Sequence, residues 1–167
     1  RRTGQGPETQ RLPLDLALYQ PDIAQNTGTL IRLGACLGLT VHIIHPSGFP
    51  ITPQNLARSG LDYVEHAVLH QHDRFEKFEA WRTVEGRRLV LLTTKSSQSA
   101  YDARFLDGDI LMLGRESAGV PDSVAERSDL RIRIPMLPGL RSINVALAGS
   151  MIVGEAMRQI GRFTELT

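Results

Sequence analysis

The chain has 167 residues, of which 41% are hydrophobic and 22% charged, and its formal net charge is +1. This composition suits one soluble globular domain, and no apolar run is long enough to span a bilayer. The single Cys36 excludes an internal disulfide and favours a reducing, cytoplasmic compartment. We predict a flexible polar leader without a signal-peptide core over residues 1–11, and one domain over residues 12–167.

The near-zero net charge does not by itself indicate a nucleic acid partner, but the type of basic residue is suggestive. Of the 19 basic residues, 17 are arginine and two are lysine. Arginine is the preferred side chain for contacts with phosphates and stacked bases. A genome-wide codon bias would produce the same excess, so composition alone does not decide between these explanations.

Apolar runs alternate with helical patterns along the whole chain. Five runs that are apolar or β-branched predict buried strands, namely Leu12–Tyr19, Leu39–His45, Arg88–Thr94, Gly108–Gly114 and Asp129–Pro135. Helical spacing and start signals predict five helices, namely Pro21–Gly38, Thr52–Gly60, Asp73–Val84, Pro121–Arg127 and Ser142–Arg162. There is no internal repeat and no low-complexity segment.

The predicted strands alternate with helices, and most of them are continuously apolar, which favours an α/β fold with a mainly parallel sheet and helices on both faces. Ligands of such sheets bind beyond the carboxyl ends of the strands. Three predicted strand ends concentrate polar residues, in the segments TTKSSQS, LGRESAGVP and IPMLPGLRSIN. We therefore expect the functional site at this edge of the sheet.

The first predicted helix carries Asn26, Gly28 and Arg32 within two turns. Apolar residues surround Arg32, and a guanidinium that faces the interior is costly unless it is paired. Arg32 is therefore expected either to meet a carboxylate, such as Glu116, or to bind an anion. Gly114 lies two residues before Glu116 and would let the backbone approach a ligand closely, although a plain turn is the simpler explanation of that segment alone.

Several common active-site patterns are absent. No G-x-G-x-x-G follows a strand, there is no P-loop, and Ser142 lacks the G-x-S-x-G context of a hydrolase nucleophile. His66, His70 and His72 have no cysteine partner and no H-E-x-x-H pattern. We expect these three on a solvated loop or helix edge, and we expect His42 to be structural. No metal site is predicted.

Taken together, three segments resemble the motifs of a known family. NTGTLIR, LGRESAGVP and IPMLPGLRSINVALA are similar, in this order, to the three motifs of the SPOUT superfamily of RNA methyltransferases. The resemblance is closest to its TrmH (SpoU) branch of ribose 2′-O-methyltransferases, and within that branch to members that modify cytidine or uridine at tRNA position 34. It covers about Leu14–Phe163, which is nearly the whole chain.

The resemblance implies properties that periodicity would not suggest. One is a deep trefoil knot in the C-terminal part of the α/β fold, which is a rare connectivity. Others are S-adenosylmethionine bound by the knot loops, with S-adenosylhomocysteine as product, and no metal cofactor. The family also implies a tRNA partner, no membrane, and a homodimer through the first and last helices with an active site shared between subunits.

The family motifs match this chain residue by residue. The resemblance implies that the cofactor is contacted by Leu92, Gly114, Glu116, Ile134, Met136, Leu137, Ser142 and Asn144. Apolar side chains and backbone would bind the adenine, while Ser142 and Asn144 would supply polar groups at a helix start. Gly114 would leave room for the cofactor to pass.

The implied reaction is an in-line attack of a ribose 2′-hydroxyl on the sulfonium methyl group. An alcohol is a poor nucleophile until its proton leaves, so a base or a charge stabiliser is needed. Arg32 matches the catalytic arginine of the first motif, and Asn26 would orient the same region. Because arginine stays protonated, we expect Arg32 to grip a phosphate and stabilise the developing oxyanion. Candidate RNA phosphate contacts are Arg58, Lys95, Arg115 and Arg141.

Other functions stay open at this point. The same chemistry on another tRNA ribose or on ribosomal RNA is one, although relatives of that kind often carry an extra N-terminal domain. A non-catalytic knotted RNA-binding module is another, and the intact candidate residues argue against it. A small-molecule methyltransferase is disfavoured because no motif indicates an enclosed substrate pocket.

Overall fold

Six parallel strands form the centre of the computed structural model, which describes residues 12–57 and 66–167. They are β1 (Asp15–Tyr19), β2 (Thr40–Ile44), β3 (Val68–His72), β4 (Leu89–Leu92), β5 (Ile110–Leu113) and β6 (Leu130–Ile132). Their order in the sheet is β3-β2-β1-β5-β4-β6, and every neighbouring pair is parallel. The predicted parallel α/β sheet is confirmed, with one strand more than expected.

The α-helices of the described residues are α1 (Ala24–Leu37), α2 (Pro53–Ala57), α3 (Phe75–Glu85), α4 (Asp122–Ala125) and α5 (Val145–Ile160). Gly38 ends α1 in the left-handed conformation, which glycine adopts without a steric penalty. Asn144 caps the start of α5, because its side-chain oxygen accepts hydrogen bonds from the backbone N–H groups of Ala146 and Leu147. The predicted end of the second helix, Gly60, lies outside the described residues. In the described part of the chain, none of the helices has the length and apolarity that crossing a membrane requires.

Alternate strand residues pack into two separate apolar clusters, one on each face of the sheet. Leu16 and Leu18 of β1 belong to the cluster under α1, α2 and α5. Ala17 and Tyr19 belong to the cluster under α3 and α4. Because successive strand residues point to opposite faces, this division confirms that helices cover both sides.

The strand β3 was not among the predicted strands. Its sequence VLHQH is polar at three of five positions, and its first residue, Val68, is 59% exposed, as is typical of a strand at a sheet edge. The register places His70 beside His42. The expectation that His70 and His72 lie on a solvated loop or helix edge is therefore wrong, since both lie in β3 and His72 is buried.

The strand order places the ends of β1 and β5 side by side. The chain builds β1 to β3 on one half of the sheet and β4 to β6 on the other, so the order reverses between β1 and β5. Beside this point α5 packs closely on α1, because Gly149 has no side chain: a Cβ there would lie 2.7 Å from Leu113 and 2.9 Å from Leu30. A crevice at the carboxyl ends of the strands is expected where the order reverses.

Candidate functional site

A cleft of about 660 Å³ opens beyond the carboxyl ends of β4, β5 and β6, against the start of α5. All but one of the eight residues predicted to contact a cofactor line this cleft, namely Leu92, Gly114, Glu116, Ile134, Met136, Ser142 and Asn144. They come from three segments that are far apart in sequence. The fold therefore brings the second and third sequence motifs to one place, at the predicted edge of the sheet.

Two predicted site residues, Leu137 and Arg32, lie away from their expected positions. Leu137 is 75% exposed and is not part of the cleft lining, since the loop before α5 turns it outward. Arg32 lies exposed on α1, because residues such as Thr27 and Ile31 form the inward face of that helix. The expectation that Arg32 faces the interior is thus wrong. Arg58 lies outside the described residues.

Glu116 connects the three motifs through hydrogen bonds. Its carboxylate accepts one from the Asn26 side-chain amide and one from the backbone N–H of Val145. The Asn144 amide donates in turn to Asn26 Oδ1, at 3.2 Å. Burial, together with the nearby negative charge of Asp22, raises the pKa of Glu116. These contacts fix the orientation of the Asn26 amide between a carboxylate and a second amide.

Asp22 is a site residue that the sequence did not reveal. It accepts hydrogen bonds from the Ser117 hydroxyl at 2.6 Å and from the backbone N–H groups of Glu116 at 3.2 Å and Ser117 at 3.4 Å. Burial alone would raise the pKa of Asp22, but these hydrogen bonds outweigh it and lower the pKa. Asp22 thereby tethers the loop of residues 114–119 to the start of α1. In the sequence it showed only the signature of a helix start.

The folding of the 114–119 loop explains why position 114 is a glycine. Arg115 and Gly119 exchange two backbone hydrogen bonds, of 3.1 and 2.8 Å, which close the loop on itself. A Cβ at Gly114 would lie 2.8 Å from the carbonyl carbon of Gly119, which is backbone and cannot rotate aside. We expected this glycine to clear a path for a ligand, but the approach of Gly119 already requires it.

The SpoU rRNA Methylase family provides a sequence model that matches residues 13–154 of this chain. The chain belongs to this family. A protein of Ancylobacter novellus named tRNA (cytidine(34)-2′-O)-methyltransferase is 55% identical over 152 residues, covering 91% of this chain and 96% of that protein. The SpoU family is the branch that the three motifs indicated.

Solved structures share the fold of this SpoU-family chain. One, described as structural insights into the 2-OH methylation of C/U34 on tRNA, has a TM-score of 0.83 and 40% identity, covering 89% of this chain and 96% of that chain. The SpoU methyltransferase AviRb from Streptomyces viridochromogenes, in complex with the cofactor AdoMet, has a TM-score of 0.81. It is 22% identical and covers 91% of this chain and 62% of that chain, so the likeness shows the fold alone.

Basic side chains of this SpoU-family protein surround the cleft, and they are Lys95, Arg115, Arg131, Arg133 and Arg141. Lys95 and Arg141 are exposed, as phosphate contacts would have to be. Arg131 and Arg133 were not predicted as site residues. The alternation of arginine with buried isoleucine in RIRIP was the signal that could have found them, because it points both arginines away from the core.

Arg115 differs from the other basic residues of the SpoU-family cleft. Its guanidinium lies over the Tyr19 ring, 5.6 Å from the ring centre, and its Nε donates to the Gly119 carbonyl at 3.0 Å. A cation at this distance from an aromatic face is attracted to it. Arg115 therefore stabilises the 114–119 loop as well as lining the cleft.

Proposed function

We propose that this protein is a cytoplasmic methyltransferase that transfers a methyl group from S-adenosylmethionine to the ribose 2′-hydroxyl of nucleotide 34 of tRNA. The observation that carries the proposal is the convergence of Asn26, Glu116 and Asn144, one residue from each motif, beside one cleft. The names of the relatives support the substrate, because a protein that is 55% identical is named for the same position.

The cleft suits an adenosine-type cofactor. Its volume of about 660 Å³ lies in the usual range for ligand pockets. Leu92, Ile134 and Met136 provide apolar walls for an adenine, and Ser142 provides a polar group at the loop before α5. When bound, the cofactor would supply a methyl group already activated by a sulfonium centre. The carboxylate of Glu116 offers the negative charge that would favour such a cation in the cleft.

We also propose that the protein works as a homodimer whose α1 and α5 face the partner, and that its C-terminal part is knotted. Support for the dimer comes from apolar side chains that these two helices leave uncovered in the single chain. Ile23, just before α1, is 44% exposed, and Leu147 and Met151 of α5 are 60% and 41% exposed. In such a dimer, the exposed Arg32 would reach the cleft of the other subunit.

In this proposed dimer, different residues would bind the substrate and assist the methyl transfer. Arg32 would hold the phosphate beside the target ribose and stabilise negative charge on the attacking oxygen. Asn26, held by Glu116 and Asn144, would orient the same region. Lys95 and Arg141 would contact neighbouring phosphates together with Arg131, Arg133 and Arg115. Leu137 remains a predicted contact to the cofactor, and Arg58 remains a predicted contact to RNA.

The proposed function is tested by incubating the protein with isotopically labelled S-adenosylmethionine and total tRNA, then mapping the label by mass spectrometry. We expect 2′-O-methylated cytidine or uridine at position 34. An anticodon stem-loop with a 2′-deoxy residue at that position is the matched control and should accept no label. Label at another ribose would instead assign the protein to a different RNA site, and cofactor binding without any transfer would favour a non-catalytic RNA-binding module.

An Asp22→Ala variant should bind S-adenosylmethionine at least about tenfold more weakly than the wild type. The substitution removes the acceptor of three hydrogen bonds that hold the 114–119 loop, and a tenfold loss corresponds to about 1.4 kcal/mol, a modest part of what they can contribute. Calorimetric titration measures the effect. Glu126→Ala, which removes an exposed acidic side chain at the end of α4, is the control. Equal affinities of the two variants for S-adenosylmethionine would contradict the proposal that Asp22 holds the 114–119 loop in place for cofactor binding.

A further inference from the structure

Three of the five histidines meet on the face of the sheet under α3, in the half away from the cleft. His42 of β2 and His70 of β3 are register partners, and His72 follows two residues later on the same face. The ring centres of His70 and His72 are 4.1 Å apart, and each lies 5.2 Å from that of His42. One ring nitrogen of each histidine lies within 4.8 Å of the other two.

A buried carboxylate orients the innermost of these rings. His42 Nε2 lies 2.7 Å from Asp15 Oδ2, which also accepts a hydrogen bond from Arg87 at 2.8 Å. This leaves His42 Nδ1 directed toward the cluster, 2.9 Å from Nε2 of His72. Metal-binding histidines characteristically have their second nitrogen held by a carboxylate in this way.

Burial favours the neutral imidazole form of His70 and His72. Burial, followed by the neighbouring His70 and His42, lowers the pKa of His72 to about 4, and burial also lowers the pKa of His70. A neutral imidazole offers a lone pair to a metal without first losing a proton. His70 lies only partly buried on the edge strand, which gives an ion a route from solvent.

We propose that His42, His70 and His72 form a binding site for a divalent transition metal of the zinc type, with Asp15 as the orienting carboxylate. Three nitrogen ligands and one water complete the tetrahedral set that Zn²⁺ adopts. At a Zn–N distance of about 2.0–2.1 Å, two ligand nitrogens lie roughly 3.4 Å apart. The His42–His72 contact, at 2.9 Å, then needs to open by about half an ångström, and the wider nitrogen pairs, which lie within 4.8 Å, need to close by up to about 1.4 Å.

The bound ion would link the edge strand β3 to β2 beneath an aromatic cover. The Trp81 ring centre lies 4.7 Å from that of His42 and 5.3 Å from that of His70. None of the three histidines lines the cleft described above. The site is therefore independent of the proposed methyl transfer, and its test needs neither tRNA nor S-adenosylmethionine.

The test uses the full chain without an affinity tag, stripped with a chelator and titrated with Zn²⁺ alone in a calorimeter. We expect one Zn²⁺ per chain, and Co²⁺ in its place should give the visible absorption of a tetrahedral site. His70→Ala, at the partly buried position, should lower the affinity at least about tenfold, because it removes one of three ligands. His66→Ala is the matched control, since it removes an exposed histidine outside the cluster and should leave the affinity unchanged.

A second variant, His72→Ala, guards against an effect particular to His70, and circular dichroism verifies that each variant is folded. Weaker binding in both folded variants, with His66→Ala like the wild type, supports the site. A wild-type chain that binds no Zn²⁺ at one per chain overturns the proposal, as do folded variants that bind it as tightly as the wild type. The cluster would then be a hydrogen-bonded chain from Asp15 through His42 to His72.

Discussion

An Arg32→Ala variant should bind S-adenosylmethionine with near wild-type affinity and yet methylate tRNA at least about 100-fold more slowly. Arg32 does not line the cleft of the single chain, so its loss leaves the proposed cofactor walls untouched. Its proposed work is to hold a phosphate and to stabilise charge that develops only during transfer. Removing one group that acts mainly on the transition state lowers the rate without a matching loss of ground-state binding.

Calorimetry with S-adenosylmethionine and single-turnover transfer to tRNA separate these two effects. Arg104→Ala, which removes an exposed arginine outside the cleft, is the matched control and should behave as the wild type. Size-exclusion chromatography verifies that the Arg32 variant keeps its oligomeric state, because α1 is proposed to face the partner. Transfer at a near wild-type rate would show that Arg32 has no part in the reaction, and a parallel loss of cofactor affinity would assign it a structural role.

An Asp15→Ala variant should lose about 3–5 kcal/mol of unfolding free energy, because it leaves a buried charge without its counter-ion. The Asp15 carboxylate and the Arg87 guanidinium are both almost wholly buried and lie 2.8 Å apart. Arg87 also donates to the carbonyl of Gly108, so it cannot turn to solvent without breaking that contact as well. His42 loses its orienting carboxylate in the same substitution.

Urea denaturation with a chelator present measures this loss without any contribution from a bound metal. The control is Glu76→Ala, whose partner Arg74 lies 3.9 Å away with both side chains mostly exposed. Exposed ion pairs contribute little, so the control should change the unfolding free energy by less than about 1 kcal/mol. If the two variants lost similar amounts, the buried pair would have no special role in stability.

Local patterns accounted for most of the fold. Apolar or β-branched runs predicted five of the six strands, namely the four interior strands and the edge strand β6, and Gly38 marked the end of α1 by a backbone preference that acts within a few residues. The last helix was predicted from Ser142, whereas α5 begins at Val145, directly after its cap Asn144. The strand β3 was not predicted from the sequence because three of its five residues are polar, which a strand at the edge of a sheet tolerates. Both of its histidines are polar, yet they face the aromatic residues Trp81 and Phe78 of α3.

The site was predicted less completely than the fold. Resemblance to family motifs indicated most of the cleft lining, since residues that bind one ligand keep a recognisable spacing within each motif. Asp22 and Arg133 were missed because each looks ordinary in its own segment. The exposed position of Leu137 was not predicted, because an apolar residue inside a motif suggested a side chain that lines the cleft.

The sequence by itself determined five of the six strands, the segments that form helices, the end of α1 at Gly38, and the motifs that carry the polar groups. Only the tertiary structure decided that Asp22 meets Ser117, 95 positions away, and that His42 meets His72, 30 positions away. Backbone preferences act over a few residues, whereas these contacts depend on the strand order that sets β1 beside β5 and β2 beside β3. That order results from burying both faces of the whole sheet at once, which no single segment encodes.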